Sequence, residues 1–193
     1  MKCLRRSFYQ RDTVIVAQAL LGKFLVHEID GQKISGYIVE TEAYRSDDPA
    51  CHAYLEKKTT KNRSLFGPVG HAYVYISYGI HYCVNLVARD KNSVAGGVLI
   101  RALQPVDGIE IMRKNRKKMN PKDLTSGPGK LTQALGITLQ DDGIDLTLCQ
   151  KLYVAEGIEI PPSKIIAASR IGISVGQDLL WRFYIDGNEF VSK

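Results

Sequence analysis

Apolar positions along the chain change period several times, and each change predicts an element. Asp12 or Thr13 can cap a helix through Val14-Ile15-Val16-Ala17-Gln18-Ala19-Leu20-Leu21, which Gly22 would end in a left-handed turn. The pattern then becomes β-rich over Lys23 to Ile29 and Lys33 to Glu42, and Asp30-Gly31 between the two runs is a hairpin signal. Further strands are predicted at about 71–77, 81–88, 97–103, 151–155 and 181–186, several of them bounded by Gly or Asp-Gly. Helical spacing returns over about 107–118 and about 128–135, the second opened by Ser126-Gly127-Pro128 and closed by Gly136. A helix, then strands, then helices, then strands argues for an α+β fold with a mainly antiparallel sheet, not a doubly wound parallel one. Residues 45–70 read as a long polar loop between strands, and loops of that length usually carry function or move.

Composition narrows the class. The 193 residues suit one domain spanning the chain, with 45% hydrophobic and 24% charged residues, as in an ordinary soluble globular protein. No apolar run is long enough to cross a bilayer, so a membrane location is not expected. Met1-Lys2-Cys3-Leu4-Arg5-Arg6-Ser7-Phe8 is basic but lacks the apolar centre and cleavage site of a secretory signal, which predicts an intracellular protein. Cys3, Cys51, Cys83 and Cys149 form no C-x-x-C pair and read as four reduced thiols, with no metal site.

The net charge of +6 favours a polyanionic partner. Two runs concentrate it, Lys57-Lys58-Thr59-Thr60-Lys61-Asn62-Arg63 and Arg113-Lys114-Asn115-Arg116-Lys117-Lys118. Either run alone also suits a solvated face.

Candidate chemistry centres on two segments. His71 to Asn85 holds four of the ten tyrosines, Tyr73, Tyr75, Tyr78 and Tyr82, and two of the four histidines. Such a cluster can grip a flat polar ring by stacking and by phenolic hydrogen bonds, or it can be a Tyr-rich hairpin packed on a core. Strand alternation puts Tyr73, Tyr75 and Ser77 on one side, breaks at Tyr78-Gly79 and sends Tyr78 out from a hairpin tip, where it can enter a base stack. On the returning strand Cys83, Asn85 and Val87 share a face. In the other segment, alternation puts Glu40, Glu42 and Tyr44 together, so a carboxylate lies beside a ring. Such a Glu can act as a general base if a cation holds its charge, and Arg101 is the apolar-flanked candidate; a purely structural Glu–Arg pair uses the same residues.

Six motifs occur in collinear order: Val39-Glu40-Thr41-Glu42-Ala43-Tyr44, Ala50-Cys51-His52, Asn62-Arg63, Tyr73-Val74-Tyr75 through Tyr78-Gly79 to Asn85, Leu99-Ile100-Arg101-Ala102-Leu103-Gln104-Pro105, and Ser126-Gly127-Pro128-Gly129-Lys130-Leu131. Together they resemble the alkyladenine (3-methyladenine) DNA glycosylases, over about Phe8 to Val191 and most densely over 36–105. The resemblance implies one compact α+β domain with a curved antiparallel sheet and flanking helices. It implies an enzyme that flips a damaged purine out of double-stranded DNA and hydrolyses its N-glycosidic bond. Glu42 is then the base for the attacking water and Arg101 helps position that water. Tyr44, His52 and Tyr75 wall the base pocket, Asn85 crowds the 2-amino group of guanine, and Tyr78 intercalates. Lys61, Arg63, His81 and Lys130 are candidate DNA-backbone contacts.

No Lys inside these motifs is suited to Schiff-base attack, so a monofunctional, cofactor-free, metal-free enzyme is expected, acting as a monomer because one copy suffices for one flipped base. His81 stands where some relatives carry a phenol. His27 and His71 match no functional position and read as structural. A non-catalytic nucleic-acid binder using the tyrosines as a stacking platform, and a small-molecule enzyme with an incidental basic surface, are the competing readings. The first predicts that Glu42→Gln is silent; the second predicts no steep salt dependence of DNA binding.

Overall fold

The computed structural model describes residues 1–192. Its centre is β2 (Gln32–Arg45), a strand of 14 residues that no edge exposes. Along one side β2 pairs antiparallel with β5 (Gly96–Asp107). Along the other it pairs first with β1 (Phe24–Ile29) and then, over Glu40 to Glu42, with β8 (Arg182–Ile185). The path continues outward from β5 to β4 (His81–Val87) and β3 (Ala72–Ser77), and from β1 to β6 (Leu152–Ala155), while β7 (Ile165–Ala168) pairs with β8. The result is an open antiparallel sheet of eight strands with helices beside it, the α+β architecture expected.

The local signals work as physics requires. The side chain of Asp12 accepts hydrogen bonds from the Val14 and Ile15 backbone N–H groups, capping α2 (Thr13–Ala19). Asp30 and Gly31 both take positive φ, 50° and 74°, the geometry of the tight turn that two-residue hairpins prefer. Pro128 occupies the first turn of α5 (Pro128–Leu135), and Gly136 ends it at φ 71°. The expected helix at 107–118 is α3 (Ile109–Arg116). Among the α-helices and strands, three short elements lie outside the expected set: α1 (Arg6–Tyr9), α4 (Lys122–Thr125) and β7. Each has only four residues, fewer than a period needs to declare itself.

One face of the sheet is the main core, where Ala43, Val74, Val84, Leu86, Val98 and Ile100 pack with Val16, Ala17 and Leu20 of α2 and Leu131, Ala134 and Leu135 of α5. The helices therefore cover one face, and the alternate side chains of the same strands are left for the other. There Cys51, Ala53, Leu65, Tyr73, Val87 and Ala95 form a second, smaller cluster.

The thiols need a correction. Cys3 and Cys149 are joined by a disulfide, whereas Cys51 and Cys83 are free and buried. The pair is 146 residues apart in sequence and meets because Leu4 N–H bonds Val154 and Glu156 N–H bonds Lys2, laying the N-terminal residues against β6. No local spacing announces a contact made by tertiary strand addition.

His27 and His71 are placed structurally. His27 is buried, with Nδ1 2.8 Å from the Leu135 carbonyl and Nε2 3.5 Å from Asp141. His71 Nδ1 lies 3.3 Å from Arg6, which also pairs with Asp145.

Candidate active site

The sheet's register lines up four side chains that the sequence keeps far apart. Glu42 on β2 lies opposite Leu99 on β5, Leu99 opposite Asn85 on β4, and Asn85 opposite Tyr73 on β3. In the flanking row Tyr44 faces Gly97, whose missing Cβ matters: one built there would come within 2.8 Å of Leu65. On the other side of the row Tyr75 faces Cys83. These residues share the face opposite the main core, because side chains two apart on a strand point the same way.

A local irregularity completes the row. The β2–β5 ladder skips Val39 on one strand and Arg101 on the other between the pairs Ile38↔Leu103 and Thr41↔Ile100, after which the register resumes. Such bulges re-aim a side chain. Here Arg101, buried at 7% exposure, reaches Glu42 Oε2 with Nη1 at 3.2 Å.

Glu42 is fully buried, so its charge needs donors. Oε2 also accepts from the Tyr44 hydroxyl at 2.8 Å, and Oε1 accepts from the Ile171 backbone N–H at 2.8 Å. Burial, and then the charge of Glu42, push the Tyr44 phenol well above its ordinary range, so Tyr44 stays a proton-bearing donor.

Tyr44 is fixed from behind by Arg170, whose guanidinium carbon sits 4.7 Å from the ring centroid. The Arg170 and Asp48 side chains are entirely buried and paired. Arg170 Nη2 donates to Asp48 Oδ1 at 2.9 Å and Nη1 donates to the Ala43 carbonyl at 2.9 Å. One clamp thus holds both the ring of Tyr44 and the loop that delivers the Ile171 N–H.

Across the face, Tyr75 stacks on Tyr73 with ring centroids 5.4 Å apart, and His52 meets Tyr75 edge-on at 4.6 Å. His52 Nδ1 and the Tyr73 hydroxyl are hydrogen-bonded at 2.9 Å. Desolvation lowers the His52 pKa below the ordinary histidine value, favouring the neutral ring. Asn85 Nδ2 donates to the Tyr73 carbonyl at 3.2 Å, which fixes its side chain.

These walls enclose an open cleft of about 1220 Å³, lined among others by Tyr44, His52, Tyr75, Asn85, Arg101 and Ile171. Glu42 lies just behind this lining, and its three donors form part of it. Tyr78 is at the cleft mouth, 85% exposed at φ 50° on the β3–β4 tip, beside Ile80 at 76%. Lys61 and Arg63 also line the mouth. His81 and Lys130 are exposed and lie outside the lining, with His81 packed against Gly129 at the start of α5. Among the described residues no three His, Cys, Asp or Glu side chains converge as a metal site, and no helix is long and apolar enough to cross a membrane.

A family model described as methylpurine-DNA glycosylase matches residues 7–189. The chain belongs to that family. It is 50% identical over 190 residues to a protein of Carboxydothermus hydrogenoformans named "Putative 3-methyladenine DNA glycosylase", with 98% of each chain covered. Proteins of the same name are 48% identical over 195 residues in Chlorobaculum tepidum, covering all of this chain and 92% of theirs, and 46% identical over 201 residues in Clostridium acetobutylicum, covering 98% and 97%.

The structure thus brings Glu42, Tyr44, His52, Tyr75, Asn85 and Arg101 together on one side of the sheet and sets Tyr78 at the rim. Sequence reasoning missed Arg170, Asp48 and the Ile171 N–H. A backbone donor has no side-chain signature. Asp48 and Arg170, 122 positions apart, carry no pattern that pairs them.

Proposed function

We propose that the chain is a monofunctional DNA glycosylase that extrudes alkylated or deaminated purines from duplex DNA and hydrolyses their N-glycosidic bond, initiating base excision repair. The substrates in this reading are 3-methyladenine, 7-methylguanine, hypoxanthine and ethenoadenine. The observation that carries it is Glu42: a buried carboxylate bonded to Tyr44 and Arg101, directly behind a cleft walled by aromatic rings.

The chemistry follows from these groups. Breaking the bond from the sugar C1′ to the purine nitrogen develops positive charge on the sugar, which a nearby carboxylate stabilises. The same carboxylate accepts a proton from the water whose oxygen forms the new bond to C1′, while the bonding pair leaves with the purine. A purine alkylated at N3 or N7 departs without further protonation and stacks well against Tyr44 and Tyr75. Neutral hypoxanthine and ethenoadenine would leave as anions and so need a proton delivered to the departing base, or pocket contacts that hold its negative charge. In this reading Asn85, immobilised on the Tyr73 carbonyl, crowds the 2-amino group of guanine. The clash refuses normal guanine, whose glycosidic bond is stable, whereas 7-methylguanine bears the same clash and is still released because its cationic base leaves easily.

Tyr78 fills the gap the extruded nucleotide leaves, and one copy of the chain suffices. The net charge of +6, with Lys61 and Arg63 at the cleft mouth, suits the phosphate backbone, and His81 and Lys130 extend that surface. Because water and not a lysine amine is the nucleophile in this reading, the product is an intact abasic site, without strand cleavage by the protein.

The test is incubation with a duplex carrying a single hypoxanthine or ethenoadenine, or with methylated DNA, followed by alkali. Alkali-dependent breaks at the lesion are expected. Breaks without alkali would refute the monofunctional reading, and no release of any of these bases would refute the activity.

A further inference from the structure

A second carboxylate, Glu40, is as deeply buried as Glu42 and leans on the same arginine. We propose that Glu40 is a positioning residue that holds the Arg101 guanidinium between two carboxylates, so that Arg101 orients Glu42 without pairing fully with it. The inference rests on Glu42 being the base proposed above.

The geometry is that of a divided cation. Arg101 Nη1 is 3.2 Å from Glu42, its Nε is 3.5 Å from Glu40 Oε1, and its Nη2 is 3.5 Å from the Ser192 hydroxyl. None of these contacts is short, and Nε makes no full hydrogen bond among the described residues. Glu40 is meanwhile held by other donors: Oε1 accepts from Arg182 Nη1 at 2.8 Å and Oε2 from the Ser192 backbone N–H at 2.7 Å. The bulge at Arg101 puts the guanidinium between the two carboxylates instead of against one.

A carboxylate gripped by one arginine typically titrates one to three pH units low and is correspondingly poor at taking a proton. A shared arginine orients the carboxylate and leaves more of its basicity. The other charged and titratable neighbours do not upset this balance. Arg170 is neutralised by Asp48, and Arg182, across the strand pair from Glu42, is bonded to Glu40. Tyr44, Tyr75 and Cys83 all have pKa values raised by burial and stay neutral near pH 7.

The test is the carboxyl ¹³C titration of Glu42 in glutamate-labelled, unliganded protein, with the resonance assigned through Glu42→Gln. Glu40→Gln hands all of Arg101 to Glu42 and removes a like charge, so the Glu42 titration is expected to move about one pH unit lower. Arg182→Gln frees Glu40 to draw Arg101 away and is expected to move it higher. A Glu42 titration unmoved by either variant, or moved the same way by both, would overturn the proposal. Should Glu40→Gln fail to fold, Glu40→Asp decides: it keeps the negative charge but withdraws the carboxylate from Arg101, so the Glu42 titration is expected to move lower, and an unmoved or raised titration would overturn the proposal.

Single-turnover excision of hypoxanthine against pH supplies the second readout. Glu40→Gln should slow the plateau several-fold and carry its acid limb lower. A slower plateau with an unmoved limb would mean that Glu40 is only structural. Excision surviving Glu42→Gln would instead refute the assignment of the base, and would do so whatever the titration of Glu42 showed.

Discussion

The two ends of this site are built on opposite principles. Around Glu42 the polar side chains are withdrawn from solvent and tied to one another: a buried carboxylate with three donors, a half-buried phenol with a cation behind it, and an arginine–aspartate pair with no exposure at all. At the β3–β4 tip, Tyr78 and Ile80 stand in solvent with nothing packed over them. Under the proposed function, the difference follows from what each end would do. A charge kept out of water survives only where fixed dipoles replace its hydration, and the same fixing sets the geometry of attack. A side chain that must enter a base stack has to be free of its own protein until it meets DNA, at the cost of exposing apolar surface.

The held end should break expensively. Asp48→Ala leaves Arg170 buried without its partner, a change that typically costs about 3–5 kcal/mol. Thermal unfolding should show that loss, together with slower base excision as Tyr44 and the Ile171 N–H lose their support. Little change in Tm would show that the clamp is replaceable and that the rigidity ascribed to this end lies elsewhere.

Removing only the chemistry sharpens the contrast. Glu42→Gln keeps the shape of the side chain, so lesion binding should persist while excision falls by roughly a hundredfold or more. A variant that binds weakly and turns over normally once saturated would assign Glu42 to binding.

At the free end, Tyr78→Ala should leave Tm unchanged, because the ring contributes nothing to the core. Capture of a lesion in duplex DNA should weaken by about 1–3 kcal/mol, the range for one base–aromatic stack. Capture in single strands should weaken less. Equal losses on both substrates would mean that Tyr78 contacts the nucleotide itself and does not replace it in the stack.

Legibility in the sequence divides along the same line. The free end could be read because its signals are local: alternation through Tyr73 and Tyr75 and the break at Tyr78-Gly79 predict a projecting ring, and the turn is where it was expected. Glu42, Tyr44 and Arg101 were legible as a group because strand alternation and an apolar-flanked arginine are also local. The support was not. The clamp of Asp48 and Arg170, the Ile171 N–H, the Ser192 N–H on Glu40 and the Cys3–Cys149 bridge all join segments more than 100 positions apart. Only tertiary register brings them together. The bulge at Arg101 was equally hidden, since it depends on how two strands count against each other.

His52 lies between the two regimes and yields the smallest effect, with a definite sign. It is hydrogen-bonded to Tyr73 yet solvent-accessible, and desolvation holds its pKa below the ordinary histidine value of about 6.5. Near pH 7 the ring is neutral and can sit beside a cationic alkylated purine. As pH falls below 6.5 toward the lowered folded value, the unfolded chain binds more protons than the folded one, so stability declines over that window and levels off below it. Once the folded ring is protonated, it repels a cationic base. Affinity for 7-methylguanine should therefore drop in acid by about 1 kcal/mol, the solvent-screened scale of such a pair, while affinity for ethenoadenine, neutral in that range, should change less. Fluorescence binding titrations at pH 7 and pH 5 would separate the two lesions, and His52→Gln should erase the difference. A parallel decline for both lesions, still present in His52→Gln, would place the acid sensitivity at Glu42 and return His52 to the scaffold.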